Sequence, residues 1–262
     1  MTNPTDPPPG DPFAAFRLDG RVAVVTGASS GLGAGVARAL AAAGATVAAV
    51  ARRADRLAAL AGETGAVPFP CDLLDEDGRD ALVPAVADRL GSPTVLVSAA
   101  GGIEGGVKAE DESATHVRDA LELNLVAPLR LAQAVHPHMA DAGGGSIVLV
   151  SSISGRVGIP GIPQASYAAA KAGLSGLATE LAAQWSARSI RVNTLAPGFF
   201  RSEITESLYD SERGERWLAR NTLLPYHAGV DEMLGAVLWL ASDASRFVTG
   251  QTIVVDGGWT AR

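Results

Sequence analysis

Lysine is almost missing from this chain: of its 21 basic residues, only Lys108 and Lys171 are not arginine. Cysteine is reduced to Cys71, which excludes an intrachain disulfide and a cysteine-built metal cluster. A lone cysteine at a strand end reads as a small buried hydrophobe. No apolar run approaches the roughly 20 residues that a bilayer crossing needs, so no membrane partner is expected. Positive charge is not in excess either. With 28 acidic residues the net charge is −7, the wrong sign for a nucleic-acid face. The histidines, His116, His136, His138 and His227, lack an acidic or cysteine cluster beside them, and no metal is expected. Met1–Pro12 is proline-rich and acidic, without the basic and apolar regions of a secretory leader. The expectation is a flexible tail over residues 1–17, one domain over residues 18–262, and a cytoplasmic location.

What is present is alternation. Short apolar runs read as strands at Arg21–Thr26, Thr46–Ala51, Ala66–Pro70, Pro93–Ser98, Ser146–Ser151, Ile190–Leu195 and Thr252–Val255. Helical patterns lie between them, over Gly31–Ala43, an Arg- and Ala-rich stretch after the second strand, Ser113–Ala140, Ala165–Arg188 and Asp231–Ala241. Strands apolar on both faces belong to a sheet covered on both sides. Strand–helix alternation makes right-handed crossovers. The expected fold is α/β: a doubly wound Rossmann-type sandwich with a seven-stranded, mostly parallel sheet. Ligands of such sheets sit beyond the carboxyl ends of the strands.

Two motifs fall on that rim. Gly27, Ser29, Ser30, Gly31, Leu32 and Gly33 lie in a glycine-rich turn between the first strand and first helix. Gly27 allows a tight turn, while Gly31 and Gly33 let a pyrophosphate approach the helix N-terminus. The spacing is G-x-x-x-G-x-G. Further on, Tyr167 and Lys171 stand four apart on a predicted helix, one turn from each other on one face. A phenol with a pKa of about 10 is a poor base, and a neighbouring ammonium is expected to lower it. Small flanking residues, Ala168, Ala169, Ala170, Ala172 and Gly173, leave that pair room.

With these motifs the chain, from about Leu18 to Trp259, closely resembles the short-chain dehydrogenase/reductase family. The resemblance implies a nicotinamide-dependent oxidoreductase acting on a carbonyl or alcohol of a small or medium organic substrate. It implies that Lys171 holds the nicotinamide ribose, that Asn124 bends its helix and supports a proton relay, and that a serine positions the substrate oxygen. Literal spacing points to Ser154, but the motif Ser151-Ser152-x-x-Gly155 aligns better with Ser152, which is favoured. Asp72, with Leu73, matches the adenine contact. Ala99, Ala100 and Gly101 stand where adenosine enters, although the family's asparagines before them are replaced by Ser98 and Ala99. Pro197, Gly198 and Phe200 flank the nicotinamide, and Ser202 takes the place of a carboxamide-binding threonine. Phe199, Leu208, Tyr209 and Trp217 are candidate pocket walls in a segment, ending near Thr222, that covers the substrate. Leu224-Pro225-Tyr226-His227 replaces a stretch that often contains Gly-Arg.

An acidic residue closing the second strand would repel a 2′-phosphate. Here that place is Ala51, followed by Arg52 and Arg53, which suit phosphate. NADP(H) is therefore the expected cofactor, with NAD(H) possible and Arg52→Ala expected to erase the preference. The family is commonly homotetrameric, and the same is expected here. A narrower alternative is a 3-oxoacyl-acyl-carrier-protein reductase, using Arg188 or Arg130. A non-catalytic dinucleotide-binding scaffold is the alternative from another class.

Overall fold

In the computed structural model, residue 11 and residues 13–102, 106–203, 205–225 and 228–261 are described. The tail expected over residues 1–17 falls largely outside them, as do Tyr226 and His227. Ala14–Phe16 form a single 3-10 turn, and Leu18 is fully buried.

Seven strands form one sheet: β1 Val22–Thr26, β2 Thr46–Ala51, β3 Val67–Pro70, β4 Pro93–Ser98, β5 Gly145–Val150, β6 Ile190–Pro197 and β7 Thr252–Val255. Their order is β3-β2-β1-β4-β5-β6-β7, and every pairing is parallel, not merely most of them. Alternate residues of each strand feed opposite cores, as the twofold side-chain period demands. Val25, Val47 and Val97 pack beneath α1 (Gly31–Ala42), α2 (Ala54–Thr64) and α9 (Asp231–Ala241). Val24, Val50, Leu96 and Leu149 pack on the other face, beneath α3 (Glu76–Leu90), α5 (Ala127–Asp141) and α6 (Ala165–Trp185). Both sheet faces are thus dry, which is why the strands carry apolar residues without alternation.

The sequence pattern reads Ser113–Ala140 as one helix. The structure divides it into α4 (Ala114–Leu121), a π-turn over Glu122–Val126, and α5. Asn124 is the cause. Its Nδ2 donates to the Ala120 carbonyl four residues back, and the Ala127 N–H reaches Glu122, five residues back. A side-chain donor competing for a helical carbonyl is a standard way to open such a turn. Two short helices after β6, α7 (Glu206–Tyr209) and α8 (Glu212–Asn221), occupy the expected covering segment.

The order of strands reverses between β1 and β4. The glycine-rich turn leaves β1 there, and Ala99-Ala100-Gly101 leaves β4 beside it. β5 and β6 deliver Ser151-Ser152 and Pro197-Gly198 to the same rim.

Candidate active site

The site begins with a turn that only glycine can make. Gly27 has φ +72°, and a Cβ on it would lie 3.0 Å from the Ala100 backbone. A Cβ on Gly33 would run into the Gly27 carbonyl. Thr26 Oγ1 accepts from the Ala100 N–H at 3.0 Å, tying the ends of β1 and β4 together. Ser98, where the family pattern has asparagine, is buried, and its hydroxyl has no partner among the described residues. The close approach of the Gly27 and Ala100 backbones is nevertheless kept.

Arg53 runs along the turn. Its guanidinium donates to Ser29 Oγ at 2.9 Å and to Ser30 Oγ at 2.7 Å. Both arginines are exposed, and it is Arg53 whose guanidinium bonds the glycine-rich turn. Asp72 Oδ1 accepts from the Leu74 N–H at 3.1 Å, closing the turn after β3, and Leu73 is buried beneath it.

At the centre Gly101 shows how tightly the remaining residues converge. A Cβ there would stand 2.7 Å from Asn124 Oδ1 and 2.9 Å from Lys171 Nζ. Asn124 is fully buried; its Oδ1 accepts from the Gly102 N–H and its Nδ2 donates to the Gly102 carbonyl, both at 3.1 Å. Lys171 Nζ donates to the Val150 carbonyl at 2.9 Å and lies 5.5 Å from the centre of the Tyr167 ring. Ser151 is not at the reacting face: its hydroxyl donates to the Lys171 carbonyl at 2.7 Å and anchors α6 to the end of β5. Gly155 permits that approach, since a Cβ on it would meet the Lys171 and Ala172 backbone.

Ser152, rather than Ser154, is the hydroxyl that acts on the Tyr167 phenol, drawing its pKa down. The Ser154 hydroxyl is engaged otherwise, accepting from Gln164 Nε2 at 2.9 Å and from Ser152 Oγ at 3.2 Å. Four residues read from the sequence, Asn124, Ser152, Tyr167 and Lys171, therefore stand together. Ser152→Ala is expected to lower kcat by about 10- to 100-fold, and Ser154→Ala by less than about fivefold. Steady-state kinetics of both variants decide, and a large loss confined to Ser154→Ala would transfer the role.

Electrostatics differ from the expectation at one point. Burial pushes the Tyr167 phenol above its ordinary pKa, and the Ser152 hydrogen bond opposes this only partly. The phenol is therefore protonated at neutral pH, not a pre-formed phenolate. Burial also lowers Lys171 to about 8. No described carboxylate pairs with that ammonium, and an unpaired buried cation is a signature of a working site more than of a stable core.

Sequence reasoning missed Glu112 and Arg79. Glu112 accepts from the Ser166 hydroxyl at 2.9 Å and from the Ser166 N–H at 3.3 Å, serving as a remote cap on the helix that carries Tyr167. Arg79, buried at the start of α3, donates to the Leu73 carbonyl and to Glu122 on the π-turn. Phe199, Trp217 and Trp259 form a triangle of rings with centroids 4.8–5.2 Å apart, pinning α8 to the C-terminal segment. Phe199 and Tyr209 also line a cavity of about 200 Å³ closed by Leu218 and Met233. Leu208 is half-buried. Pro197 ends β6, and the Gly198 N–H donates to Val255 at 2.9 Å. Phe200 offers its carbonyl to Thr205 Oγ1, and the Ser202 N–H donates to the same hydroxyl at 3.0 Å. The described residues contain no cluster of potential metal ligands, and none of their helices is long and apolar enough to cross a membrane.

Known proteins resemble this chain in sequence and in fold. Residues 27–260 match the family model described as enoyl-(acyl carrier protein) reductase. D-threitol dehydrogenase of Mycolicibacterium smegmatis is 39% identical over 94% of this chain and 95% of its own length. A 3-oxoacyl-[acyl-carrier-protein] reductase of Thermotoga maritima is 37% identical, over 93% of this chain and 99% of its own. Among solved structures, a gluconate 5-dehydrogenase from Burkholderia cenocepacia in complex with NADP and tartrate superposes with a TM-score of 0.88. It is 34% identical, with 95% of this chain and 98% of that chain covered.

Proposed function

Since this chain belongs to the short-chain dehydrogenase/reductase family and is an oxidoreductase, we propose that it transfers hydride between NADP(H) and a carbonyl or secondary alcohol of a small or medium organic substrate. The observation that carries this reading is the convergence of Ser152, Tyr167, Lys171 and Asn124 at the mouth of the parallel sheet, beside a glycine cradle. A scaffold that only bound a dinucleotide would have no use for an unpaired buried ammonium beside a phenol.

The residues present fit the cofactor. A Cβ at Gly27 would meet the Ala100 backbone, so turn and strand end leave a narrow cradle. The first turn of α1 offers N–H groups for a pyrophosphate, and Arg53 beside Ser29 and Ser30 suits a 2′-phosphate. Asp72 and Leu73 would border adenine, with Ala99, Ala100 and Gly101 admitting adenosine. Pro197, Gly198, Phe200 and Ser202 would border the nicotinamide end.

When bound, NADPH supplies the hydride. Ser152 holds the substrate oxygen by a hydrogen bond, fixing the carbon for attack. Tyr167, a neutral phenol, gives its proton to the oxygen as negative charge develops there. Lys171 stabilises the phenolate left behind and would hold the cofactor ribose. Asn124 keeps the π-turn open beside Lys171, where the proton lost by Tyr167 is restored from solvent. Oxidation runs the same steps backwards.

Arg53→Ala is expected to weaken NADPH binding about 10- to 100-fold with little change for NADH; fluorescence titration with both cofactors measures it. Equal weakening of the two would remove the phosphate-binding role. Arg130 is held by Asp80 at 3.0 Å, which leaves it poorly placed to greet an acidic carrier protein and favours a free small substrate. A panel of ketones and alcohols followed by NADPH absorbance tests the reaction. Turnover of at least one class is the expected result, and cofactor binding without turnover across the panel contradicts it.

The exposed face of α6 carries Ala165, Ala169, Ala172 and Gly176, while Leu223, Leu224 and Phe247 are exposed apolar side chains elsewhere. These surfaces support a homotetramer. Light scattering is expected to give about four times the 26.7 kDa chain mass, whereas a monomer would refute the assembly. A cytoplasmic location fits the single cysteine, Cys71.

A further inference from the structure

Arg53 does not stand free at the glycine-rich turn. The loop after β6 crosses to it from 150 residues away. Glu203 Oε2 accepts from Arg53 Nη1 at 3.3 Å, and Glu203 Oε1 accepts a short hydrogen bond from Arg56 Nη1. The hydrogen bond from Arg56, followed by that from Arg53, holds the Glu203 carboxyl below its ordinary pKa. The preceding residue, Ser202, lies over the turn itself, with its Cβ 3.7 Å from where a Gly31 Cβ would be. One loop therefore touches the turn proposed for the pyrophosphate, and its carboxylate sits on the guanidinium proposed for the 2′-phosphate.

Charge governs which nucleotide this cluster favours. Two guanidinium groups and one carboxylate sum to +1. A 2′-phosphate bringing about −2 would leave the cluster at −1 with Glu203 in place, and neutral with Glu203 withdrawn. The phosphate and the carboxylate thus compete for the same donors, and like charges held close disfavour one another. A 2′-hydroxyl brings no charge and leaves the Arg53–Glu203–Arg56 cluster as it stands. We propose that Glu203 is a cofactor-specificity residue: a built-in carboxylate competitor that restrains the NADP over NAD preference set by Arg53 and Arg56. This rests on the NADP(H) reading above.

The test uses the full chain without substrate, titrated with NADPH and NADH by nucleotide fluorescence. Glu203→Gln keeps the size and removes the charge; Glu203→Ala removes the group. Both side chains of each ion pair are more than two-fifths exposed, so the fold is expected to survive, as thermal unfolding of the variants will show. Losing two exposed ion pairs that the phosphate must otherwise break is expected to tighten NADPH about 3- to 30-fold. NADH affinity is expected to stay within about twofold, because no charge competes there. Unchanged or weakened NADPH binding, or equal tightening of both nucleotides, overturns the proposal. Arg53→Ala, titrated in parallel, separates the two readings. If it leaves NADPH affinity intact, the phosphate site itself is misassigned and the Glu203 proposal falls with it. If it weakens NADPH while the Glu203 variants do not tighten it, the NADP(H) reading stands and Glu203 is no competitor.

Discussion

Tyr167→Phe is expected to lower kcat for carbonyl reduction by about 10²- to 10⁴-fold, the usual worth of a positioned proton donor. NADPH affinity is expected to change by no more than about threefold, because only a hydroxyl is removed and the ring stays beside Lys171. Burial holds this phenol above its ordinary pKa, and Ser152 offsets that only partly. At neutral pH it is therefore protonated, the form reduction needs. Oxidation needs the phenolate, so the oxidation rate is expected to climb with pH through the alkaline range. The reductive kcat/KM moves the other way. Lys171 titrates at about 8, and as pH rises through that value the ammonium that stabilises the departing phenolate is lost. Opposite pH slopes for the two directions are the expected outcome of rate–pH profiles. A Phe variant with nearly full activity would show that the proton comes from elsewhere.

Lys171→Met is expected to abolish turnover to a similar degree and, at pH 7, to raise stability. The folded pKa of Lys171 falls from 10.5 to about 8 because the group is buried. A depressed lysine pKa means that the unfolded state holds the proton more tightly than the native state. Below pH 8 the native protein carries the full cost of a buried charge, on the order of 3 kcal/mol. That cost is relieved as pH rises from about 8 towards 10.5, where the native lysine is already neutral. Methionine fills similar volume with no charge, at the loss of the hydrogen bond to Val150, worth about 1 kcal/mol. Chemical denaturation at pH 7 and at pH 10 is the measurement. The variant is expected to lead by about 1–3 kcal/mol at pH 7 and to lose that lead at pH 10. A variant less stable at both values would mean that Lys171 stabilises the fold and that its buried charge carries no such cost.

Much of this molecule is legible in its sequence because the informative patterns are local. The seven strands are apolar on both faces, and the glycine-rich turn and the Tyr167–Lys171 pair depend on spacings of a few residues. What the pattern hides is non-local or irregular. α3 carries Pro84 within it and turns the side chain of Arg79 inward, so no clean apolar stripe marks it. α8 buries only Gly214 and Leu218 among charged neighbours. The π-turn interrupts what reads as a continuous helix because one amide, Asn124, takes a carbonyl from the backbone. Glu112 reaches Ser166 across 54 residues and Glu203 reaches Arg53 across 150, distances at which no spacing rule speaks. The phenol pKa obeys the same logic. Lysine four residues away argues for a lowered value, but burial acts in the opposite direction, and burial is a property of the packed fold.

Isotope transfer tests the central claim most directly. The protein is supplied with NADPH carrying deuterium on the transferable nicotinamide carbon and with a ketone that it reduces, and the product alcohol is weighed by mass spectrometry. One deuterium on the carbinol carbon, at a rate that collapses in Tyr167→Phe, is the predicted result. A product without deuterium, or transfer indifferent to the loss of the Tyr167 hydroxyl, would contradict it.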